Sequence, residues 1–428
     1  MKVLWLCNFM LPAVAEHLQQ KAVNKEGWIS GMAEVILRRY ESNEIRLGLA
    51  FPVSEQMDGY REVLQIFGGE LTCYGFYENT AHPECYDAGL EERMHRIIAD
   101  FAPDVIHSWG VEYDHALAMV NAAQAEGMLD RTVASIQGLC GFIAEHYTDG
   151  LPVLAVNHVT FRDFVRKDNI RQQQEKFFLR GKLEAQILGK LRHVIGRTSW
   201  DYARVKELNP DIEYHFCNET LRPCFYEDQW GYNACRKHSV FASSCSYPVK
   251  GFHYLLEAMA RVRKIYPDAA ITVTGSSYLG GNWKSRLRRG SYEAYLAKLT
   301  RKYRLENAVQ FLGDLSADEM KQAFLRANVF VLPSTMENSP NSLGEAMLLG
   351  VPCVAADVGG VRNLMNHGTE GMRYTSGDVK ALAEHILRLF ALEAEAARLG
   401  EAARSHARLT HDPETNLEEL MNIYREIQ

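Results

Sequence analysis

The chain opens on a short apolar run, "KVLWLC" (2–7), and a helically spaced one, "EGWISGMAEVILRRY" (26–40). The first is rich in strand formers, and the second repeats its apolar positions every three to four residues, which predicts a strand and then an amphipathic helix. The alternation continues through "IRLGLAF", "YDAGLEERMHRIIADFA", "PDVIHSW", "DHALAMVNAAQAEGM" and "TVASIQG". A long polar stretch at 159–191 reads as one helix, followed by the strand "HVIGR" and a helix from 199. Beyond "YHFCNETLRPCFYE" the pattern restarts with "SVFASS", "GFHYLLEAMARVRKIY", "AAITVTG", "AVQFLG", "SADEMKQAFLRA", "VFVLPS" and "CVAA". Strands alternating with helices imply parallel pairing through right-handed crossovers. The economical architecture is α/β, with two Rossmann-like units joined around 222–238: a first domain over 1–222 and a second over 238–410. The end of the chain, 411–428, reads as a helix with Pro413 in its first turn and one apolar face to bury.

Composition narrows what these units do. At 428 residues and 47% hydrophobic, the chain is long enough for two or three domains. A net charge of −7 argues against a general nucleic-acid binder. Charge is uneven, however, since Arg162 to Lys206 holds twelve Lys or Arg against five Asp or Glu. That stretch is either a face for phosphate or an anionic surface, or a solvated helix. The nine cysteines contain no CxxC pair and no zinc-like spacing, which is cytosolic usage. No apolar run reaches the roughly 18 residues that a membrane span needs, so any membrane role is expected to be peripheral.

The most informative stretch is "PSTMENSPNSLGEAMLLGVPCVAADVGG" (333–360). In parallel α/β sheets, ligands sit beyond the carboxyl ends of strands, where loops enter helix amino termini. "VFVLPS" ends such a strand; Ser339 is placed to cap the next helix and Pro340 to take its first position. Backbone N–H groups of Asn341, Ser342 and Leu343 would then face a phosphate. Glu337 lies in the loop before this helix and Glu345 in its second turn, so one glutamate can reach each side of a bound phosphate. Gly350 and Pro352 end the helix, and Gly359 and Gly360 permit close backbone approach beyond the next strand.

A proline-serine pair, two glutamates eight positions apart, Gly-Val-Pro and a Gly-Gly turn together resemble the donor site of retaining GT-B glycosyltransferases of family 4. The similarity extends to "YPVKGFHYLLEAM", "FLGDLSADEM", "EGWISG", "PDVIHSWGVEY" and "GRTSWD", and covers most of the chain. It implies two Rossmann-like domains facing across a cleft, the terminal helix returning to the first domain. The activity implied is sugar transfer, with retention of configuration, from a nucleoside diphosphate (UDP by family frequency) to a hydroxyl of a glycan or lipid-linked glycan. That fits cytoplasmic synthesis of cell-surface polysaccharide, with peripheral contact at the inner face of the membrane through 162–206. No cofactor or metal is implied, and no DxD signature is present.

By the same resemblance, Glu345 holds the donor ribose, Glu337 contacts the sugar, and Lys250 neutralises the diphosphate. Gly27 brings backbone N–H groups to that diphosphate, and main-chain groups from Phe311 to Leu315 receive the base. His107 and Gln137 are candidate sugar or acceptor contacts, or structural residues. Two departures stand out. Relatives place an arginine where this chain has Cys245, for which Arg286, Arg288 or Arg289 could substitute, and many place a histidine where it has Gln137. Two other functions fit this architecture: a nucleotide-sugar epimerase, and a non-catalytic partner subunit.

Overall fold

The computed structural model describes residues 1–20, 27–79, 81–283 and 287–428. The chain divides into two compact units. The first comprises Met1–Gly141, Phe177–Arg222 and His411–Gln428; the second comprises Phe142–Lys176 and Pro223–Thr410. Residues 142–176, assigned above to the first domain, therefore pack with the second. The reason is a set of specific bonds: Ser291 N–H donates to Asp163 Oδ2 at 2.8 Å, and Thr335 Oγ1 donates to the carbonyl of His146 at 2.9 Å. The long polar helix foreseen over 159–191 is also two helices, Phe161–Arg166 and Ile170–Lys190. Lys167 separates them in the left-handed region at φ 50°.

The first unit is built on an eight-stranded sheet. Its strands are β1 (Lys2–Leu6), β2 (Arg46–Val53), β3 (Arg61–Ile66), β4 (Gly69–Tyr77), β5 (Val105–Ser108), β6 (Thr132–Ser135), β7 (His193–Gly196) and β8 (Glu213–Phe216). Their order is β3-β4-β2-β1-β5-β6-β7-β8, parallel except for the β3–β4 hairpin. Central strands covered on both faces must be apolar throughout, and Leu4, Trp5, Val105 and Ile106 are essentially inaccessible. The terminal helix Pro413–Ile427 is capped by Asp412, whose Oδ1 accepts from Thr415 N at 2.8 Å. It buries Leu417, Leu420, Met421, Tyr424 and Ile427 in the same core as Trp5 and Ile29. Each such side chain contributes about 1.5–3 kcal/mol of burial.

The second unit carries β9 (Ser239–Ala242), β10 (Ala270–Val273), β11 (Val309–Phe311), β12 (Val329–Leu332), β13 (Cys353–Ala356) and β14 (Met372–Tyr374). The sheet is parallel in the order β11-β10-β9-β12-β13-β14. Strand order reverses between β9 and β12, and the crevice at such a reversal is where open α/β sheets receive ligands. Among the described residues, no helix is long and apolar enough to cross a membrane.

Candidate active site

Three loops meet at the carboxyl ends of β9, β12 and β13. The chain leaving β9 makes a single 3-10 turn, Pro248–Lys250, and turns again at Gly251 with φ 62°. A Cβ at Gly251 would lie 1.8 Å from the carbonyl oxygen of Pro333, so only glycine fits there. The β12 loop is fastened to the same turn by Thr335, whose N–H donates to Val249 O at 2.8 Å. From the other side, Gly360 N–H donates to Glu337 O at 3.2 Å. Gly359, at φ 50°, brings its backbone so close that a Cβ would stand 1.8 Å from that same oxygen. Two glycines thus hold the Pro333–Glu337 segment between its neighbours.

Within this frame Lys250 Nζ donates to Glu337 Oε1 at 2.6 Å, and Ser334 Oγ donates to the same oxygen at 2.7 Å. The Glu337 side chain is 11% exposed and that of Lys250 25%. Burial alone would lower the pKa of the ammonium, but the Glu337 charge and Tyr247 outweigh it and raise the pKa. Lys250 therefore stays cationic across the physiological range. Ser334 and Thr335, which orient the pair, were not singled out from the sequence, although "VKG" and the Gly-Gly turn mark the close approaches that place them.

The helix after the loop spans Asn341–Leu348, with Pro340 as its N-cap and no side-chain cap. Ser339 is therefore not the cap, because Pro340 keeps an extended ψ of 109° and delays the first helical residue to Asn341. Asn341 and Ser342 N–H groups have no intrahelical acceptor by helix geometry. Leu343 N–H differs from the expectation, donating to Pro340 O at 2.9 Å. Glu345 is buried, 6% exposed, one turn further along.

Around 311–315 the main chain is partly committed. Leu312 N–H donates to Val273 O at 2.9 Å, and Gly313 exchanges both backbone bonds with Gly275. Those groups are removed from the set expected to receive a base. Phe311 packs edge-on against Tyr278 at 4.9 Å. Leu315 lines a cavity of about 720 Å³ with Leu312, Gln310 and Arg326, whose lining includes neither Lys250 nor Glu337.

Cys245 is buried, with its thiol pushed up to about 12 by desolvation, and its Sγ lies 3.8 Å from Thr274 O. It is a small core residue. Of the substitute arginines, Arg286 lies outside the described residues, Arg288 is exposed, and Arg289 donates to Gly280 O at 2.5 Å. Gly27 opens the helix Gly27–Arg39, and residues 21–26 before it lie outside the described residues.

In the first unit, His107 is fully buried. Its Nδ1 meets Tyr424 OH at 2.6 Å and its Nε2 meets Ser135 Oγ at 2.8 Å, while the ring stacks on Trp109 at 4.2 Å. Desolvation lowers its pKa to about 3. Both nitrogens are committed inside the core, one to the terminal helix through Tyr424 and one to β6 through Ser135, so His107 is withdrawn as a sugar or acceptor contact. Gln137 is half-buried, donating to Glu219 Oε1 at 2.7 Å and accepting from Arg197 Nη2 at 3.3 Å, beside the Arg197–Glu219 ion pair.

The sequence reading missed a polar cluster at the carboxyl ends of β1, β4 and β5. His115 meets Glu78 Oε2 at 2.8 Å and Asn8 Oδ1 at 3.0 Å, with Asp114 adjacent and all four buried. Burial and then the Glu78 charge raise the pKa of Asp114. Burial would raise Glu78 too, but His115 reverses the sign and lowers it.

The basic stretch 162–206 is not one face. It crosses from the second unit to the first at residue 177, and several of its cations have separate partners. Arg162 pairs with Asp163 and Asp168, Arg180 Nε donates to Glu112 O, Arg192 pairs with Glu213 and Arg204 with Glu207.

Residues 236–406 match the family model described as glycosyl transferases group 1. The glycogen synthase of Mycobacterium tuberculosis is 30% identical over 163 residues, 38% of this chain and 36% of that protein. The chain thus spans little more than a third of the length of that curated relative. The sucrose-phosphate synthase of Thermosynechococcus elongatus superposes over 100% of this chain and 99% of its own, with a TM-score of 0.69 at 17% identity. The fold is GT-B. HepE from Anabaena, solved with UDP-glucose, superposes over the full length of both chains with a TM-score of 0.67 at 17% identity.

Proposed function

We propose that the chain is a retaining glycosyltransferase that moves a sugar from a nucleoside diphosphate, with UDP favoured, to a hydroxyl of a glycan or lipid-linked glycan. Its setting in this reading is cell-surface polysaccharide synthesis. The observation that carries the reading is the Lys250–Glu337 pair at the β9–β12 reversal, fixed by Gly251 and Gly359 inside the segment that matches the family model. A cation beside the amino terminus of the Asn341–Leu348 helix suits a diphosphate.

In this reading Lys250 exchanges Glu337 for the donor diphosphate and stabilises the charge that grows on it as the anomeric carbon–oxygen bond breaks. Glu337 then faces the sugar and offsets positive charge at the anomeric carbon. Asn341 and Ser342 N–H groups add to the diphosphate site, and Glu345 takes the ribose hydroxyls. The acceptor oxygen bonds to the anomeric carbon on the face the diphosphate leaves, and the hydroxyl proton passes to a departing phosphate oxygen. No metal enters this scheme.

The test is to incubate the full chain with UDP-sugars and glycan acceptors and to read the product anomer by NMR. An α-linked product from an α-linked donor is expected. Inversion, or an isomerised nucleotide sugar formed without acceptor, overturns the reading.

A further inference from the structure

Residues 153–165 of the second unit invert the usual distribution of polar and apolar side chains. Val153, Leu154, Val159, Phe161, Phe164 and Val165 are 50–87% exposed, whereas Asp163 between them is 1% exposed. The inversion is built rather than incidental. Thr160 and Asp163 form a capping box that starts the Phe161–Arg166 helix, and Asp163 Oδ2 also accepts from Ser291 N at 2.8 Å. Those bonds turn the carboxylate inward, so helical spacing sends Phe161, Phe164 and Val165 outward together.

A second stretch extends the patch. The Val153–Val156 helix packs on the Ser291–Lys302 helix, and Ser291, which opens that helix, is preceded by exposed Leu287 and Arg288 and by Trp283 at 67% exposed. Residues 153–176, 283 and 287–290 together hold seven Lys or Arg against three Asp or Glu, in a chain of net charge −7. Of these cations Arg166, Lys167, Arg171 and Arg288 are exposed. Soluble surfaces rarely gather so many large apolar groups in one place, and such patches mark interaction sites.

We propose that this face docks on an anionic lipid bilayer, with Leu154, Phe161 and Phe164 entering the headgroup boundary and the surrounding Arg and Lys meeting lipid phosphates. Exposed aromatic and aliphatic side chains ringed by basic ones are the composition that lies in a membrane interface. An isologous contact between two copies would set the same basic ring against itself, which disfavours self-association as the occupant. The inference sharpens the membrane contact expected of a lipid-linked acceptor and moves it from the basic stretch 162–206 to an apolar face. It does not depend on the donor chemistry.

The experiment is co-sedimentation of the full chain with phosphatidylcholine vesicles, with and without phosphatidylglycerol, at low and high salt. Wild type is expected to bind the anionic vesicles. The triple variant Leu154→Ser/Phe161→Ser/Phe164→Ser should lose more than about tenfold in partitioning at either salt, with its thermal midpoint unchanged because the altered side chains are exposed. Arg166→Gln/Lys167→Gln should weaken binding to anionic vesicles only, and only at low salt. Wild-type failure to bind either vesicle overturns the proposal, as does binding by the triple variant equal to wild type. A wild-type dimer made monomeric by the triple variant would assign the face to a second copy instead. UDP-sugar binding, followed in parallel, separates failure of this inference from failure of the transferase reading.

Discussion

Each unit is built on its own mainly parallel sheet, yet the two place polar groups at the carboxyl edge by different means. In the second unit the Lys250–Glu337 pair is positioned by backbone: Gly251 and Gly359 let three loops touch. In the first, the groups beyond β1, β4 and β5 are buried side chains holding one another, Glu78 to His115 to Asn8. A backbone frame tolerates exchange of partners at its centre, whereas a buried charged network resists any change of partner. The difference suits the anion exchange proposed for Lys250 in the second unit, and a first unit that stays rigid.

The largest expected effect falls on the frame. Gly359→Val puts a branched side chain at positive φ against Glu337 O, and should cost more than about 4 kcal/mol in urea denaturation or rearrange the loop and abolish donor binding. Lys250→Ala leaves the Glu337 carboxylate without its cation, and should cost less stability than Gly359→Val yet lower transfer by about 10²–10³-fold, measured as kcat/KM with saturating acceptor. Were both substitutions to act equally on stability, the distinction between frame and exchanging partner would fail.

A smaller effect tests the first unit. Glu78→Gln leaves His115 and Asp114 buried without their anionic partner, and should cost about 3 kcal/mol of stability by the same denaturation. Acid titration bears on both units. His107 is held at about 3 and His253 at about 4, each lowered by burial, so each stays neutral when folded and takes a proton near 6.5 when unfolded. Between those values the unfolded state binds more protons. Their stabilisation is therefore complete above about pH 6.5 and is lost as pH falls toward the folded values. Thermal midpoints from pH 7 to 4 should drop less steeply in His107→Gln than in wild type. The smallest change is expected from Cys245→Ala, within about 1 kcal/mol of wild type, with the native thiol unreactive to a chromogenic disulfide.

The second unit was the more legible in sequence, for a physical reason. A backbone frame demands glycine, proline and short spacings within a few dozen residues, and "VKG" and "PSTMENSP…GG" display them. The side-chain cluster of the first unit draws on Asn8, Glu78, Asp114 and His115, whose spacing carries no periodic signal. His107 was left open because a strand-end histidine reads alike as ligand or as packing, and only the Tyr424 and Ser135 contacts decide it. The break in the 159–191 stretch was readable in retrospect. Asn169 and Gln172 exchange cap bonds at 2.9 and 3.0 Å, and "NIRQ" is a capping-box pattern inside a run that otherwise looked continuous.

The most direct test of the central claim is calorimetric titration of UDP-glucose into wild type and Lys250→Ala. Binding to wild type that weakens at least about tenfold in the variant, with the fold intact by circular dichroism, is the predicted result. Equal affinity in both proteins would contradict a diphosphate site at Lys250, and absence of binding to wild type by UDP-, GDP-, ADP- or dTDP-sugars alike would contradict the donor site as a whole.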